Sequence, residues 1–240
     1  MSYKESLTAG TTLSAKKVSI SPRLFTLAGI AGPILFVLVF TIDGFLRPGY
    51  SPVSQMISDL GLGPNAWVQN SNFVIFGLCL IVFAIGFYHQ TYTIISKRSR
   101  TVSLILLLLT GIGLANNGFF TKNIQIVHVP DFLIAFCSLI ITFFIVGQQL
   151  RGTPCWRIYG WYTFITGLTT CGLLGAFIYV MDHGQAVGLL HRLLVVETFA
   201  WYVVTGYRLF VLKESEQQRL IPIDGSPYAE NKSAKQMRRE

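Results

Sequence analysis

Residues 47–69, RPGYSPVSQMISDLGLGPNAWVQ, form the one long polar connection in a chain that is otherwise mostly apolar. Ser51 can cap a helix that has Pro52 at its first position, because a serine oxygen accepts from free backbone N–H groups and proline has none to satisfy. Apolar residues then recur at helical spacing as far as Leu60, and Gly61 stands where a helix end favours a left-handed residue. The stretch predicts a short amphipathic helix on the membrane surface.

The end of this stretch predicts the start of the next helix. The pair Gly63-Pro64 interrupts the chain, and Asn65 can cap the helix that follows it. Trp67 lies two positions after this cap, and tryptophan is enriched at the boundary between membrane and water. We therefore expect a structured lid in the first loop outside the membrane, between the first two spans.

The composition is that of a membrane protein with several spans. Charged residues make up 12% of the 240 residues, hydrophobic residues make up 52%, and the mean hydropathy is +0.53. Soluble domains carry about 25% charged residues, which this chain does not approach. The net charge of +8 does not indicate a nucleic-acid partner, because no basic patch interleaves with aromatic residues. The sequence also lacks a P-loop and a G-x-G-x-x-G motif after a strand, which disfavours nucleotide chemistry.

Six apolar runs predict an all-α bundle of six transmembrane helices, since each run is long enough to cross a bilayer as a helix. We place the spans at about residues 24–46, 68–89, 101–120, 130–150, 158–181 and 188–212. The fourth span is expected to begin at Pro130, with Asp131 in its first turn, because both residue types suit a helix start. Residues 1–23 and 213–240 are polar and lack apolar periodicity, which predicts two disordered tails.

The basic residues predict that both tails are cytoplasmic. With six spans, 16 of the 19 Lys and Arg residues fall in the tails, in the loops on the same side, or near that end of a span. Only Arg47, Lys122 and Arg192 fall on the other side, and such an asymmetry is typical of the cytoplasmic face. The four cysteines lie within spans or on the tail side, so no pair is placed to form an outer disulfide.

Small residues predict where the helices pack closely. The fifth span carries a small residue at every fourth position over three turns, which is the clearest packing seam in the sequence: Thr163, Gly167, Cys171 and Gly175. Gly32 in the first span and Gly77 in the second offer further places for close approach. The seam of the fifth span could pack within the bundle or against a second copy of the chain.

Several segments together resemble one known family. They are the loop LRPGYSPVSQMISDLGLGPNAWVQN, the following run FVIFGLCLIVFAIGF, a histidine before the fourth span, and GLLHRLLVVETFAWYVVTGYRL at the end. Over about residues 24–212 the chain is similar to the domain of unknown function 998 family. The resemblance implies a six-helix membrane protein of bacteria or archaea, located in the cytoplasmic membrane, and it implies no particular reaction.

Polar side chains gather on the outer side of the predicted bundle, under the lid. Ionisable residues within a membrane cost roughly 2.5–3.5 kcal/mol at a helix centre, and an unpaired amide about 2–7 kcal/mol, so both need partners. This placement predicts an outward-facing polar pocket. The candidate ligand-binding residues are Asp43, Asp59, Asn116, Asn117, His128, His191, Arg192 and Glu197.

Each candidate also has a structural explanation. Asp43 can pair with Arg47 one helical turn later, the histidines and Arg192 can reach lipid head groups, and Glu197 can hydrogen-bond between helices. His191 and Glu197 are six positions apart, so their directions differ by about 120° and their heights by about 9 Å. These two residues are therefore not expected to form one compact ligand pair.

Three classes of function stay open at this point. The favoured class binds or transports a small solute or lipid through the polar pocket, and it needs no catalysis and no cofactor. The second is a membrane hydrolase whose zinc would be held by His128, Asp131 and His191, although no H-E-x-x-H motif supports it. The third is a noncatalytic scaffold or partner subunit. The expected partners are the lipid bilayer, a small solute or lipid, and a second copy of the chain.

Overall fold

The computed structural model describes residues 21–183 and 186–212, and all regular structure within them is helical. Six of these helices are long and apolar enough to cross a membrane, counting α1 and α2 as one span, so the predicted all-α fold is confirmed. The helices are α1 (Pro22–Phe25), α2 (Ala28–Leu46), α3 (Ala66–Gln90), α4 (Lys97–Phe119), α5 (Gln125–Arg151), α6 (Arg157–His183) and α7 (Val187–Val211). The predicted tails lie outside the described residues, apart from residues 21–23 at the start of α1.

The six long helices form a closed ring. Each one packs on its neighbours in sequence, and α7 packs on α2 to complete the circle. Because the helices alternate in direction, α2, α4 and α6 end where α3, α5 and α7 begin. We call this the lid end of the bundle and the opposite one the tail end. The side chains that meet inside the ring are mostly aromatic, as where Phe36 and Phe199 lie 4.8 and 4.5 Å from Phe76 between ring centroids.

The closest helix packing joins α3 and α4 through glycine. A Cβ atom on Gly77 would lie 2.5 Å from the Gly111 carbonyl oxygen and 2.6 Å from the Ala115 nitrogen. Real Cβ atoms essentially never approach so closely, and backbone atoms cannot swing aside as a flexible side chain can. The contact predicted for Gly77 is therefore present, and it depends on the absence of a side chain.

Only the first two of the four small residues in the seam predicted on the fifth span pack closely within the bundle. Thr163 is fully buried, and a Cβ atom on Gly167 would lie 3.0 Å from Cβ of Phe143 in α5. Cys171 is exposed, however, and a Cβ atom on Gly175 would meet nothing within 4 Å. Residues four apart advance by about 40° around a helix beyond a full turn, so the later members of the row turn away from α5.

Helix α5 begins earlier than the sequence predicted. It starts at Gln125, so Pro130 lies inside the helix and Asp131 is not in its first turn. Proline removes one helical hydrogen bond, but here the loss falls near the helix start and the helix continues through it. The rule that places proline at the first helical position therefore put this boundary too late.

We call residues 47–62 the lid. Its helix is a short 3₁₀ helix, Ile57–Gly61, rather than an α-helix that begins at Ser51. Its start is capped by Asp59, whose Oδ2 accepts from the Met56 backbone N–H at 2.7 Å. Ser51 instead lies in a turn, where its Oγ accepts from the Ser54 N–H at 3.4 Å. The apolar spacing was correct in part, since Ile57 and Leu60 are buried.

The residues with positive φ angles after the lid helix are not the residue that the sequence predicted. Gly61 was expected to be left-handed, but the positive φ angles belong to Gly63 and Asn65, at 71° and 58°. A Cβ atom on Gly61 would meet the Asn70 amide oxygen, so the Asn70 side chain would have to move to admit one. Asn65 does precede α3, yet its side chain makes no capping hydrogen bond.

Candidate functional site

A cavity of about 320 Å³ lies inside the ring, directly beneath the lid. All six long helices and the lid contribute residues to its wall. Along α7 the wall runs from His191 to Tyr202, and along α5 it includes the stretch from His128 to Leu139. At 1.5 Å of rise per residue, each of these distances is about 16 Å. The cavity therefore reaches from the lid to the middle of the bundle.

The wall of the cavity is polar at the lid end and apolar below. The polar side chains near the lid are Ser58, Asn117, Lys122, Gln125, His128 and His191. Deeper residues are mainly aromatic and aliphatic, including Phe136, Leu139 and Phe199. The Thr198 hydroxyl lies in this deeper part, but it donates to the Leu194 carbonyl at 3.1 Å and is satisfied within its own helix. The pocket that the sequence predicted as polar is thus polar mainly at its lid end. Tyr202 borders the deep end, and its buried hydroxyl has no hydrogen-bond partner among the described residues.

The two histidines of the wall are held in place through their Nδ1 atoms. Nδ1 of His191 accepts from the backbone N–H of Ile57 in the lid at 3.4 Å. Nδ1 of His128 lies 3.0 Å from the Phe120 carbonyl oxygen. His191 is buried, so it is not the interfacial residue that its position near a helix start suggested. In the described part of the chain, neither Nε2 atom has a hydrogen-bond partner.

A second polar contact ties the lid to the loop between α4 and α5. Lys122 places its ammonium nitrogen 2.5 Å from Oδ1 of Asp59, whose other oxygen caps the lid helix. Lys122 lines the cavity, whereas Asp59 lies behind it in the lid. The cation at the cavity mouth is therefore matched by a fixed carboxylate.

Arg192 binds the lid to the start of α7. Its Nη1 donates to the carbonyl oxygens of Pro52 at 2.6 Å and Gln55 at 2.9 Å, and its Nη2 donates to the Tyr50 hydroxyl at 2.5 Å. Burial raises the pKa of Tyr50, and the Arg192 cation opposes that shift, so the phenol is protonated at neutral pH. A planar guanidinium suits this role, because its donors point in fixed directions.

The same helix start also meets the lid through its backbone. The Leu189 N–H donates to the Val53 carbonyl at 3.0 Å. A Cβ atom on Gly188 would lie 2.6 Å from the Pro52 carbonyl oxygen, so only glycine lets the lid come this close. The first turn of α7 is thus a docking surface for the lid.

A packed aromatic layer lies between the cavity and the tail end. Trp201 is fully buried, its ring lies 4.8 Å from Phe143 between centroids, and its Nε1–H donates to Thr163 Oγ1 at 3.1 Å. Phe83 and Phe87 pack on the same indole, each 6.3 Å away between centroids. The cavity is therefore a pocket with a floor in the middle of the bundle.

The structure brings together three of the sequence-predicted site residues in the cavity wall, namely Asn117, His128 and His191. Two others act on the lid instead: Asp59 holds Lys122, and Arg192 holds the lid backbone. Asn117 is 3% exposed and its Oδ1 has no hydrogen-bond partner among the described residues, so this acceptor is available at the polar end.

The remaining predicted residues lie outside the cavity wall. Asp43 pairs with Arg47 at 3.2 Å, as its structural explanation anticipated. Asn116 is half-buried but does not border the cavity. Glu197 points toward α6, where it accepts from the Thr170 hydroxyl at 2.7 Å. The separation in direction between His191 and Glu197 that the sequence predicted is therefore present in α7.

The residues considered for zinc do not come together at one place. His128 and His191 share the cavity, but Asp131 does not border it, and one of its buried oxygens has no partner in the described structure. Among the described side chains, those of residues 21–181 and 186–212, no group of three or more His, Cys, Asp or Glu could hold a metal ion.

Sequence reasoning missed three polar residues at the lid end of the wall. Ser58, Lys122 and Gln125 all border the cavity at its lid end. Lys122 was counted only as a basic residue of the outer side. A signal for it was present, since Asp59 and Lys122 are opposite charges on two connections at the same end of the bundle, and such charges can pair.

Two kinds of comparison give one positive finding. A family model described as "Protein of unknown function (DUF998)" matches residues 30–208, which include every helix from α3 to α6 and most of α2 and α7. No curated protein and no solved structure matches the chain.

Proposed function

We propose that this chain, which belongs to the DUF998 family of proteins of unknown function, is a multi-pass membrane protein that binds a single-chain amphipathic molecule in the cavity. One observation carries the proposal, namely the division of the wall into a polar end under the lid and an apolar part below it. A ligand of this kind would place its head group at Asn117, His128 and His191 and its hydrocarbon chain among Phe136, Leu139 and Phe199. Ligand sites are commonly apolar with a few placed polar groups.

The size of the cavity sets the size of the ligand. An apolar cavity of about 150 Å³ in a protein interior takes up one benzene molecule. The cavity here, about 320 Å³, has roughly twice that volume and so suits on the order of a dozen carbon atoms. The proposal therefore concerns a single hydrocarbon chain, because a phospholipid with two long chains needs more room.

The aromatic floor favours binding over transport. A transport path needs a route past the middle of the bundle, and in this structure Trp201, Phe83 and Phe143 are packed there without a gap in their contacts. Binding requires only that the lid or the helices admit the ligand from one side. Recognition or storage of an amphipathic molecule is the simplest activity consistent with this shape.

The experiment compares two tryptophan variants on one helix. Val195 lines the cavity and is 5% exposed, whereas its neighbour Val196 is 49% exposed on the outer surface of the bundle. Val195→Trp fills the cavity, and Val196→Trp adds the same side chain outside it. Purified protein in a steroid-based detergent is offered dodecan-1-ol, dodecanoate or dodecyl methyl ether, and bound molecules are counted by native mass spectrometry.

We expect the unmodified protein and Val196→Trp to retain one molecule of at least one amphiphile per chain, and Val195→Trp to retain none. Leu139→Phe is a milder filling variant on α5, and it guards against a misfolded Val195→Trp, whose folding is checked by its melting temperature. Retention by both filling variants would place the ligand outside the cavity and overturn the proposal. Failure of the unmodified protein to retain any of the three compounds would also overturn it.

A further inference from the structure

The hydrogen bond of His191 fixes the position of its ring proton. A backbone N–H can only donate, so the Nδ1 atom that accepts from Ile57 carries a lone pair. A protonated imidazole has no lone pair to offer, hence His191 is neutral and its proton is on Nε2. His191 therefore presents an N–H donor at its remaining ring nitrogen.

The hydrogen bond of His128 has the opposite consequence. The Phe120 carbonyl can only accept, so the Nδ1 atom that lies 3.0 Å from it carries the proton. In the neutral ring, Nε2 of His128 is then a lone-pair acceptor. The two histidines of the cavity thus offer complementary groups, one donor and one acceptor, and both groups are without partners in the described part of the chain.

These two rings lie around a common neighbour. His128 and Phe132 are four positions apart on α5, so they share one face of that helix. The ring of Phe132 lies 5.8 Å from the ring of His191 between centroids. All three residues border the cavity at its polar end. The two histidines therefore have Phe132 as a shared neighbour at the polar end of the cavity.

The charge at this end disfavours an anionic head group. Lys122 is the only cation of the cavity wall among the described residues, and Asp59 already neutralises it at 2.5 Å. Asp59 is fixed in turn by its bond to the Met56 N–H, so it does not move away when a second anion arrives. An added carboxylate or phosphate would share one cation with Asp59 and would meet like-charge repulsion.

We infer that the cavity selects an uncharged hydroxyl head group, whose O–H donates to Nε2 of His128 and whose oxygen accepts from Nε2–H of His191. This inference rests on the proposed function and specifies its ligand class as a long-chain alcohol or a lipid with an alcohol head. A hydroxyl is the smallest group that both donates and accepts, and it adds no charge beside Lys122 and Asp59.

Three ligands of equal chain length test this inference. Affinities for dodecan-1-ol, dodecyl methyl ether and dodecanoate are measured by competition at about pH 8, where an unperturbed imidazole is neutral. The ether keeps the accepting oxygen and lacks the donated proton, so we expect it to bind about tenfold more weakly than the alcohol. Dodecanoate carries the charge that Asp59 opposes, and we expect it to bind more weakly than the alcohol as well.

Matched histidine variants identify the atoms involved. In His128→Asn the amide N–H replaces the Nδ1–H toward Phe120 and nothing replaces Nε2, so the preference for alcohol over ether should vanish while ether affinity is kept. In His128→Gln an amide oxygen can stand near the lost Nε2, and part of the preference should return. Lys122→Gln should leave the alcohol affinity within about twofold, since the ammonium is occupied by Asp59.

The outcomes separate this inference from the proposed function. If all three ligands bind equally, or if His128→Asn keeps the alcohol preference, the head-group assignment is wrong while binding in the cavity stands. If dodecanoate binds best and Lys122→Gln abolishes that advantage, the head group is an anion and the inference is overturned. If no ligand binds and Val195→Trp changes nothing, the proposed function itself fails.

Discussion

At the scale of single residues, Arg192 is the side chain that most directly holds the lid. Replacing it by alanine removes the donors to Pro52, Gln55 and Tyr50. The Pro52 carbonyl oxygen then has no donor among the described residues, whereas the Tyr50 hydroxyl keeps its hydrogen bond to the Met56 carbonyl at 2.9 Å. A hydrogen bond to a charged group contributes about 1.5–3 kcal/mol net to stability when it is buried, and this contact is half-buried, so we expect a loss of about 2 kcal/mol of stability. The measurement is the melting temperature, together with the rate of proteolysis within residues 47–62.

Arg157→Ala is the control for this prediction, because Arg157 is exposed at the tail end and far from the lid. Arg192→Lys should fall between the two, since a lysine ammonium lacks the planar set of donors that spans several carbonyls. Equal proteolysis of the lid in Arg192→Ala and Arg157→Ala would show that the lid is held by its other contacts.

The roles of Arg192 and His191 could not be predicted from their sequence neighbourhood. Both lie at the start of a membrane span, where contact with lipid head groups is the common explanation. In the structure, the lid covers this helix start, and the contacts join residues more than 130 positions apart. Local spacing carries no information about such a contact. The ion pair of Asp43 with Arg47 was predictable, because it depends only on positions four apart in one helix.

At the scale of helices, the contact between α3 and α4 predicts that replacing glycine by alanine lowers stability at Gly77 and does not lower it at Gly175. Gly77→Ala puts a methyl group where the backbone of Gly111 and Ala115 already lies, so the helices must separate. Overpacking of this kind costs about 1–3 kcal/mol, and we expect at least about 2 kcal/mol here. Gly175→Ala is the matched control, since its methyl group enters open space. We expect no loss of stability there, because alanine favours a helix over glycine by about 1 kcal/mol.

The melting temperatures of both variants, measured in the same detergent, test this prediction. A Gly77→Ala protein as stable as the original would mean that α3 and α4 separate at little cost and that glycine does not determine their spacing. A marked loss in Gly175→Ala would mean that the outer face of α6 packs against another chain, as a second copy would require.

The helices were predictable to different degrees, for physical reasons. The six long helices follow from hydropathy, because a membrane leaves few ways to satisfy the backbone other than a helix. The lid was less predictable, since Ser51 and Asp59 are both good capping residues and only the fold decides that Asp59 caps. Small residues indicated a close contact at Gly77 that is present, whereas Gly175 makes no close contact within the described chain. Small-residue spacing indicates a face of the helix and does not say which helix, of the same chain or of a second copy, meets it.

At the scale of the whole molecule, charge is divided between the two ends. Basic residues described at the tail end are Arg23, Lys97, Arg98, Arg100, Arg151, Arg157 and Arg208. Three described basic residues lie at the lid end, where Arg47 and Lys122 pair with carboxylates and Arg192 binds the lid. Among the described residues, no carboxylate accompanies the basic residues of the tail end. Several of those arginines lie over aromatic rings, such as Arg151 at 4.4 Å from Trp161, as is common at a membrane interface.

This division predicts the orientation of the molecule, with the tail end in the cytoplasm and the lid outside. Two single-cysteine variants test it with a membrane-impermeant maleimide on intact cells. One keeps the native Cys155, which is exposed in the loop between α5 and α6 at the tail end, and the other carries Ser54→Cys in the exposed part of the lid. We expect Ser54→Cys to react in intact cells and Cys155 to react only after permeabilisation.

The reverse pattern would place the lid in the cytoplasm. Because the polar end of the cavity lies beneath the lid, orientation also decides on which side of the membrane His128 and His191 lie. If the lid is outside, dodecan-1-ol added to intact cells should protect a cysteine placed at Ser58 in the cavity wall, while it leaves the cysteine at Ser54 reactive. Protection at both positions would mean that the alcohol acts on the membrane as a whole. Protection at position 58 alone would support both the orientation and the binding site. The impermeant maleimide reaches position 58 only if the lid is outside, and the alcohol shields it only if the cavity is occupied.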